Sequence, residues 1–260
     1  MLYLRLFGCV ACCVVVGPSC SAIINKDSAP LIRVRPNDSG LVIRETRTHG
    51  PENFFGSGPP NISSGVTAEL ERKVRLHNKE PRYFMKAPGN LQVVSMQGTG
   101  ASQYPALMNT WLGLFDANLD AGSSARNILY QKQLSEVPWI NAGRCFHSKL
   151  RSRTFSWGKA LMFLTTYVQG TGPGPVNNDM LVLVVQGFTH DGRFAVNGRF
   201  EIHHPQLPDS AEEKPTPGKR FMDLDEPGDN AEKWLDAQLD ESFSPSFQEY
   251  EAFLSALEIE

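Results

Sequence analysis

Cys145, His147 and His203 are the residues of this sequence whose side chains could carry out catalysis or bind a metal ion. Cys145 and His147 are two positions apart, so an extended strand places both on one face, and His203 ends a later strand candidate. Thiolate and neutral imidazole suit zinc, and a cysteine beside a histidine base can act as a nucleophile. Around these residues there is no CxxC pair, HExxH helix or G-x-S-x-G motif. A metal- or cysteine-dependent hydrolase is therefore the alternative to a non-catalytic protein.

A set of basic residues is the stronger candidate for binding. Alternation along a predicted strand over 144–155 places three of them on one face, and two more lie in the later segment 193–203. A surface of this kind attracts anionic groups. The other interpretation is a solvated sheet face that the acidic segment 223–260 partly neutralises. The members of this basic set are Lys149, Arg151, Arg153, Arg193 and Arg199.

These candidates depend on a predicted β-hairpin over residues 179–203. Its first strand is apolar from Met180 to Val185, which is typical of a central strand covered on both faces. Asp191-Gly192 supplies the positive φ angle of a tight turn, and the return strand then alternates apolar and polar residues. Each buried apolar side chain contributes about 1.5–3 kcal/mol, so the register is fixed. Gly198 on the inner face indicates a bulge or the close approach of another backbone.

Four strand candidates with short connections predict an antiparallel meander, and they span 144–155, 160–168, 180–188 and 193–203. Helical spacing of apolar residues predicts helices over 105–119, 231–239 and 245–257, with Ser244 as the N-cap and Pro245 in the first turn of the last. The fold class is α+β. An antiparallel sheet with the 144–203 meander at its centre is packed on one face by the helices 105–119 and 245–257.

The length and composition favour one domain. The chain has 260 residues, of which 41% are hydrophobic, and its net charge is -3. We expect an extended, partly ordered arm over 23–65 with a strand at 41–46, and a single domain over 66–260 with a loop at 205–228. Residues 66–79 fit either a helix or a strand. The acidic C-terminal end would repel phosphate, which argues against nucleic acid as a partner.

Residues 1–22 have the layout of a signal peptide. Arg5 precedes an apolar run over 6–16, and small residues follow up to Ala22. The run is too short to span a membrane. Cleavage after Ala22 gives a soluble exported protein, whereas cleavage before Cys20 would give a lipid-anchored one. Either cleavage leaves Cys145 as the only internal thiol, so no internal disulfide is expected.

Several stretches together resemble a group of poorly characterised bacterial envelope proteins, many of them described as lipoproteins. The stretches are PWINA at 138–142, LMFLTTY at 161–167, Asn177-Asn178, QGFTHDGRF at 186–194 and SFSP at 242–245. The likeness covers about residues 104–258 and implies export and a hairpin followed by a proline-rich tail and a C-terminal helix. This sequence departs from that pattern at Phe194 and Ala195, which replace two tyrosines. No activity comes with the resemblance.

Together these features predict an exported, non-catalytic binding or interaction protein of the cell envelope, secreted or periplasmic. An immunity-type inhibitor of a secreted toxin is one concrete member of that class. The expected partner is another protein or an anionic envelope component, with no cofactor and no nucleic acid. Contact with a membrane is expected only through a lipid on Cys20.

Overall fold

A computed structural model describes residues 32–35, 41–49, 65–72, 89–96, 104–116, 143–168, 176–214, 216–222 and 229–260. The strands are β1 Ile32–Val34, β2 Leu41–His49, β3 Gly65–Arg72, β4 Gly89–Ser95, β5 Gly143–Arg144, β6 Ser148–Thr154, β7 Gly158–Val168, β8 Leu181–Thr189, β9 Phe194–Glu201 and β10 Leu257–Ile259. The helices are α1 Tyr104–Asp116, α2 Asp229–Ala237 and α3 Phe247–Ser255, and a 3-10 turn covers Asp240–Ser242. The expected signal peptide and Cys20 lie outside the described residues.

Within the described residues, the main sheet has eight antiparallel strands. Its order is β2-β3-β4-β9-β8-β7, and β5 and β6 both pair with the outer edge of β7. β1 and β10 form a separate two-stranded antiparallel sheet. The predicted α+β fold with an antiparallel sheet and helices packed on it is confirmed. The meander β6-β7-β8-β9 forms the half of the sheet that contains β7, and β4, β3 and β2 extend the sheet beyond β9.

The turn of the β8-β9 hairpin is built from the residues that the sequence indicated. Gly192 has a φ of 67°, in the region that favours glycine. Asp191 Oδ1 accepts hydrogen bonds from the Thr189 hydroxyl at 2.6 Å and from the Arg193 N–H at 3.0 Å. Because the side chain of Asp191 satisfies these donors, the turn fixes the register of the two strands.

Helices pack on both faces of the sheet. The larger core cluster joins one face of β7, β8 and β9 to α2 and α3; its helical members include Ala231, Leu235, Phe247, Phe253 and Leu254. The smaller cluster joins the opposite face to α1, and it consists of Trp111, Leu114, Phe115, Leu161, Phe188 and Ala195. Since neighbouring residues of a strand face opposite ways, α1 lies across the sheet from α3, whereas the sequence expectation placed both on the same face.

Two local features differ from the sequence expectations. The N-cap of α3 is Ser246, and its hydroxyl accepts the N–H of Glu249 at 3.3 Å while the Glu249 carboxylate accepts the N–H of Ser246 at 2.7 Å. Ser244 instead pairs with His203 in an isolated β-bridge. The expected strand 144–155 is interrupted between β5 and β6, and its pairing with β7 shifts register between Ser148 and Arg151.

The strand expected at 41–46 within the extended arm forms as β2, and a further strand, β1, forms in the same segment. Leu41–His49 pairs with Gly65–Arg72 at one edge of the main sheet, so residues 66–72 adopt the strand rather than the helix of the two alternatives. Ile32–Val34 pairs with Leu257–Ile259. These pairings place β2 in the same sheet as the meander and β1 beside the C-terminal strand β10.

Candidate functional site

The structure does not gather the three residues of the hydrolase hypothesis into one metal site. The thiol of Cys145 is half-buried and packs against the larger core cluster. The His147 ring is 2% exposed and lies 5.1 Å from the ring of Phe163. His203 forms its bridge to Ser244 beyond the end of β9. Among the described residues, no group of three or more histidine, cysteine, aspartate or glutamate side chains is placed to hold a metal ion.

Three members of the basic set lie together and bind the C-terminal segment. Arg151 Nη2 donates a hydrogen bond to Asp240 Oδ1 at 2.9 Å, and Lys149 Nζ lies 3.3 Å from the same oxygen. Arg153 Nε donates to Glu251 Oε1 at 2.9 Å. Acidic residues of the C-terminal segment therefore pair with these three cations, as the alternative interpretation expected. The side chains of Lys149 and Arg151 are only 11% and 12% exposed, so this part of the face is covered rather than solvated.

The pKa of Asp240 reflects this cluster. The hydrogen bond from Arg151 lowers the pKa below the ordinary value of 3.8, and the charges of Arg151 and Lys149 add to this effect while burial opposes it. The Arg151 guanidinium carbon also lies 4.2 Å from the centre of the Phe247 ring, at the start of α3. Arg151 thus ties β6 to both the 3-10 turn and the last helix.

The other two members of the basic set lie elsewhere. Arg193 is in the hairpin turn, where its guanidinium pairs with the carboxylate of Asp191. Arg199 lies on β9, and its guanidinium carbon is 5.8 Å from the centre of the Tyr167 ring. Arg151 lies opposite Met162 in the strand pairing, so both side chains are on the face of the larger core cluster. Arg199 is on the other face of the sheet, and the five cations therefore do not form one surface.

Helix α2 closes the edge of the sheet at the start of β6. Glu232 Oε2 accepts the N–H of His147 at 3.0 Å, and Asp236 Oδ1 accepts the N–H of Lys149 at 2.6 Å. The Ser148 hydroxyl also donates to Asp236 Oδ1 at 2.9 Å. Side-chain carboxylates therefore occupy backbone donors that another strand would otherwise bind.

A polar row crosses the sheet on the face that α1 contacts. Gln92, Asn197 and Gln186 are neighbours in register on β4, β9 and β8. The Asn197 amide donates to Gln186 Oε1 at 3.2 Å, and the amide of Gln186 donates to the Val196 carbonyl at 3.4 Å. Asn197 and Gln186 are fully buried, so this row forms part of the interior.

The loop that follows β9 is held at its base by Asn178. We call the described residues 205–214 and 216–222 the tail loop. Asn178 Oδ1 accepts the N–H of His204 at 2.9 Å, and its Nδ2 lies 3.2 Å from the His204 carbonyl and 3.1 Å from Asp209 Oδ1. The Asn178 N–H donates to the Pro208 carbonyl at 2.8 Å. One asparagine therefore replaces the backbone partners that a strand would supply at this point.

Apolar side chains anchor both ends of the tail loop. Leu207 is fully buried, Met222 is 7% exposed, and both belong to the larger core cluster. The N–H of Arg220 donates to the Gln206 carbonyl at 2.6 Å, and the N–H of Val176 donates to the Met222 carbonyl at 2.9 Å. These contacts close the base of the loop.

His204 connects the base of the tail loop to the C-terminal segment. Its ring is 2% exposed; Nδ1 accepts the N–H of Gln206 at 3.3 Å, and Nε2 lies 3.1 Å from the Ser242 hydroxyl oxygen. The ring centre lies 5.0 Å from those of Trp234 and Phe243. Burial lowers the pKa of His204 below the ordinary value of 6.5. Because Nδ1 accepts a hydrogen bond, the neutral ring carries its proton on Nε2 and donates it to Ser242.

The tip of the tail loop faces solvent. Its exposed residues include Asp209, Ala211, Glu212, Lys214, Thr216, Pro217, Gly218 and Arg220. Lys219 Nζ donates to the Leu207 carbonyl at 2.7 Å and lies 3.2 Å from Asp209 Oδ1. The pKa of Asp209 is lowered by hydrogen bonds from Asn178 and Lys219. The tip therefore presents charges of both signs on a fixed base.

Sequence reasoning identified neither Asn178 nor His204 as the residues that fix the loop. In the sequence, the Asn177-Asn178 pair is only one of the stretches that carry the resemblance, and His204 only follows His203 at the end of a predicted strand. The side-chain contacts of Asn178 join residues 26 to 31 positions apart. No local spacing rule predicts such contacts, although an Asn-Asn pair before a strand is a typical turn signal.

None of the helices in the described residues has the length and hydrophobicity needed to cross a bilayer. No protein-family model, characterised protein or solved structure is significantly similar to this chain.

Proposed function

We propose that this protein is an exported, non-catalytic binding protein of the cell envelope that presents the tail loop to a protein partner. The observation that carries the proposal is the contrast within the loop. Its base is fixed by Asn178, Leu207 and Met222, whereas its tip is exposed and charged. Loops held by a rigid scaffold are where proteins commonly place their binding residues.

A fixed base favours binding because it reduces the entropy lost when a partner is bound. The tip of the tail loop carries acidic and basic side chains within a few residues, such as Glu212 and Lys214. Mixed charges of this kind select a partner by complementary pairing rather than by net attraction. This property favours a protein surface over a uniformly anionic envelope component.

The sequence of residues 1–22 supports the cellular location in this proposal. A basic residue, a short apolar run and small residues are the three parts of a secretory signal, and Cys20 is the candidate for a lipid anchor. Within this class, an immunity-type inhibitor of a secreted toxin would use the loop tip to cover the toxin's functional surface.

The test is capture of partners from an envelope fraction by the immobilised full chain, followed by mass spectrometry. The informative variant exchanges two charges at the tip, Glu212→Lys with Lys214→Glu, which leaves the net charge and the contacts of Asn178 unchanged. We expect at least tenfold weaker binding of the captured protein, because each favourable pair becomes a repulsive one.

The matched control is Gln248→Glu with Ala252→Lys, which adds two opposite charges to the exposed side of α3. This control should bind the partner as tightly as the unmodified chain does. The proposal is wrong if the loop exchange leaves the affinity unchanged. It is also wrong if only anionic lipid or polysaccharide is captured, or if both variants lose binding equally.

A further inference from the structure

We infer that His204 is an acid-sensitive latch for the tail loop: uptake of a proton by its imidazole releases the loop from the sheet. This inference rests on the proposed function, because it assigns a means of regulation to the same binding loop. It follows from the position of the ring, which is the meeting point of the loop base, helix α2 and the segment before α3.

Both ring nitrogens of His204 are engaged in a way that requires the neutral form. Nδ1 accepts the N–H of Gln206, so a proton on Nδ1 would point at another donor. Nε2 donates to the Ser242 hydroxyl, which in turn donates to the Leu239 carbonyl at 2.6 Å. A second proton on the ring therefore breaks the contact with Gln206 and leaves an N–H without an acceptor.

The contact that would be lost lies at the base of the loop. The carbonyl of Gln206 accepts the N–H of Arg220, and the N–H of Leu207 donates to the His204 carbonyl at 3.0 Å. When Gln206 moves away from the ring, both of these hydrogen bonds are weakened, because each involves Gln206 or its neighbour Leu207. The contacts of Asn178 with the backbone of His204 and Pro208 do not involve the ring, so they still mark where the released loop returns. The buried side chains of Leu207 and Met222 must be loosened when the loop is released.

None of the described charged groups around the ring is hydrogen-bonded to it, and Glu241, beside Ser242 in the 3-10 turn, is exposed to solvent. From the loop, Asp209 is bound by Asn178 and Lys219. From the 3-10 turn, Asp240 is paired with Arg151. Arg220 adds positive charge, with its guanidinium carbon 5.7 Å from the centre of the Trp234 ring that contacts His204. His203 precedes His204 in the chain, and it lies close enough to Asp209 to contribute to the lowered pKa of that carboxyl group.

From helix α2, Glu232 and Asp236 face β6, where they accept the backbone N–H groups of His147 and Lys149. The hydrogen bonds of the His204 ring go to Gln206 and Ser242. In the described part of the chain, no carboxylate is bonded to this ring. A charged imidazole would therefore be buried beside two aromatic rings, which costs more than it does in water.

The direction of the pH effect follows from the lowered pKa of His204. Above pH 6.5 the ring is neutral in both the closed and the released loop, so the latch is fully formed. As the pH falls below 6.5, the released form takes up a proton that the closed form does not. The ratio of released to closed loop should rise by up to about tenfold per pH unit until the lowered pKa is reached.

The experiment is amide hydrogen exchange of the full chain without any partner, resolved by NMR and corrected for the pH dependence of intrinsic exchange. The amides of Leu207 and Arg220 report release of the loop, and those of Leu183 and Val185 in β8 report global unfolding. We expect the protection of the loop amides to fall below pH 6.5 while the β8 amides keep theirs. The His204 ring should titrate at the pH where loop protection is lost.

The variant His204→Gln keeps a hydrogen-bonding side chain but cannot titrate, so its loop protection should be independent of pH. The matched control His203→Gln should retain the pH dependence. Should His204→Gln not fold, the ring titration of the unmodified chain decides alone. The inference is overturned if the protection of the loop amides does not change with pH. It is also overturned if the His204 ring titrates at pH 6.5 without loss of that protection. Because no partner is present, a failure of the latch is distinct from a failure of the binding proposal.

Discussion

Glu232 Oε2 accepts a hydrogen bond from the backbone N–H of His147 at 3.0 Å, and this contact fixes helix α2 to the edge of the sheet. Both residues are buried: Glu232 is 8% exposed and His147 is 2% exposed. The buried carboxylate of Glu232 thus satisfies a backbone N–H just before β6, at the edge of the sheet.

Replacement of Glu232 by alanine should destabilise the protein by about 1–3 kcal/mol, because it leaves the buried N–H of His147 without an acceptor. Glu232→Gln should cost less, since the amide oxygen can accept the same hydrogen bond. The measurement is urea denaturation followed by tryptophan fluorescence. Equal losses for the two variants would show that the acceptor at this site is unimportant.

Replacement of Arg151 by alanine should cost about 1.5–3 kcal/mol, because Asp240 loses a charge-assisted hydrogen bond in a partly buried site. The side chain of Arg151 is 12% exposed, so water replaces the lost contact poorly. The control is Arg193→Ala, whose ion pair with Asp191 is exposed and should contribute about 0–1 kcal/mol. Denaturation curves of both variants test the difference, and similar losses would contradict it.

The carboxyl group of Asp191 should titrate far below an ordinary aspartate. Burial raises its pKa, but hydrogen bonds from Thr189 and Arg193 outweigh this and lower the pKa from 3.8 to about 2. The hairpin turn is therefore fully stabilised above pH 3.8 and loses that stabilisation as the pH falls towards 2. Carboxyl-carbon NMR measures the midpoint directly. In Arg193→Ala the midpoint should rise but stay below 3.8, because the Thr189 contact remains; an unchanged midpoint would exclude a role for the guanidinium.

Gly198 should not tolerate a larger side chain. Its expected bulge or backbone approach is not what the structure shows: β9 pairs without a register shift on both sides, and the space is taken by a side chain. A Cβ at this position would lie 2.6 Å from the ring of Phe200. That ring is confined by Tyr250, with centres 4.9 Å apart, and by Phe253.

Gly198→Ala should therefore cost about 1–3 kcal/mol through overpacking. Combining it with Phe200→Leu should cost less than the sum of the two single changes, since the smaller side chain makes room for the methyl group. A denaturant-based double-mutant cycle measures this coupling. Strict additivity would mean that Phe200 is not the neighbour that limits position 198.

Much of the fold was predictable because its central strands carry local signals. The apolar run of β8, the Asp191-Gly192 turn and the alternation in β9 are each visible within a few residues. The basic set was harder to interpret, since alternation assigns Arg151 and Arg153 to a face without saying what covers it. Their partners Asp240 and Glu251 lie almost a hundred residues later, and only the folded chain brings them together.

The side of the sheet on which a helix packs was also beyond sequence reasoning. Helix α1 has an apolar surface that fits either face, and the choice depends on complementary residues such as Leu161 and Phe188. These two side chains look no different in the sequence from Met162 and Val185 on the other face. For the same reason, the sequence did not predict the contacts at the base of the tail loop, which join residues far apart in the chain.

The pairing of β1 with β10 has a consequence for the order of folding. Ile32 lies opposite Ile259, and the N–H of Arg35 donates to the Ala256 carbonyl at 2.9 Å. Residues 32–35 can therefore pair only after residues 256–259, more than two hundred positions later in the chain, have been made. The meander assembles from neighbouring segments, so it can form before this small two-stranded sheet.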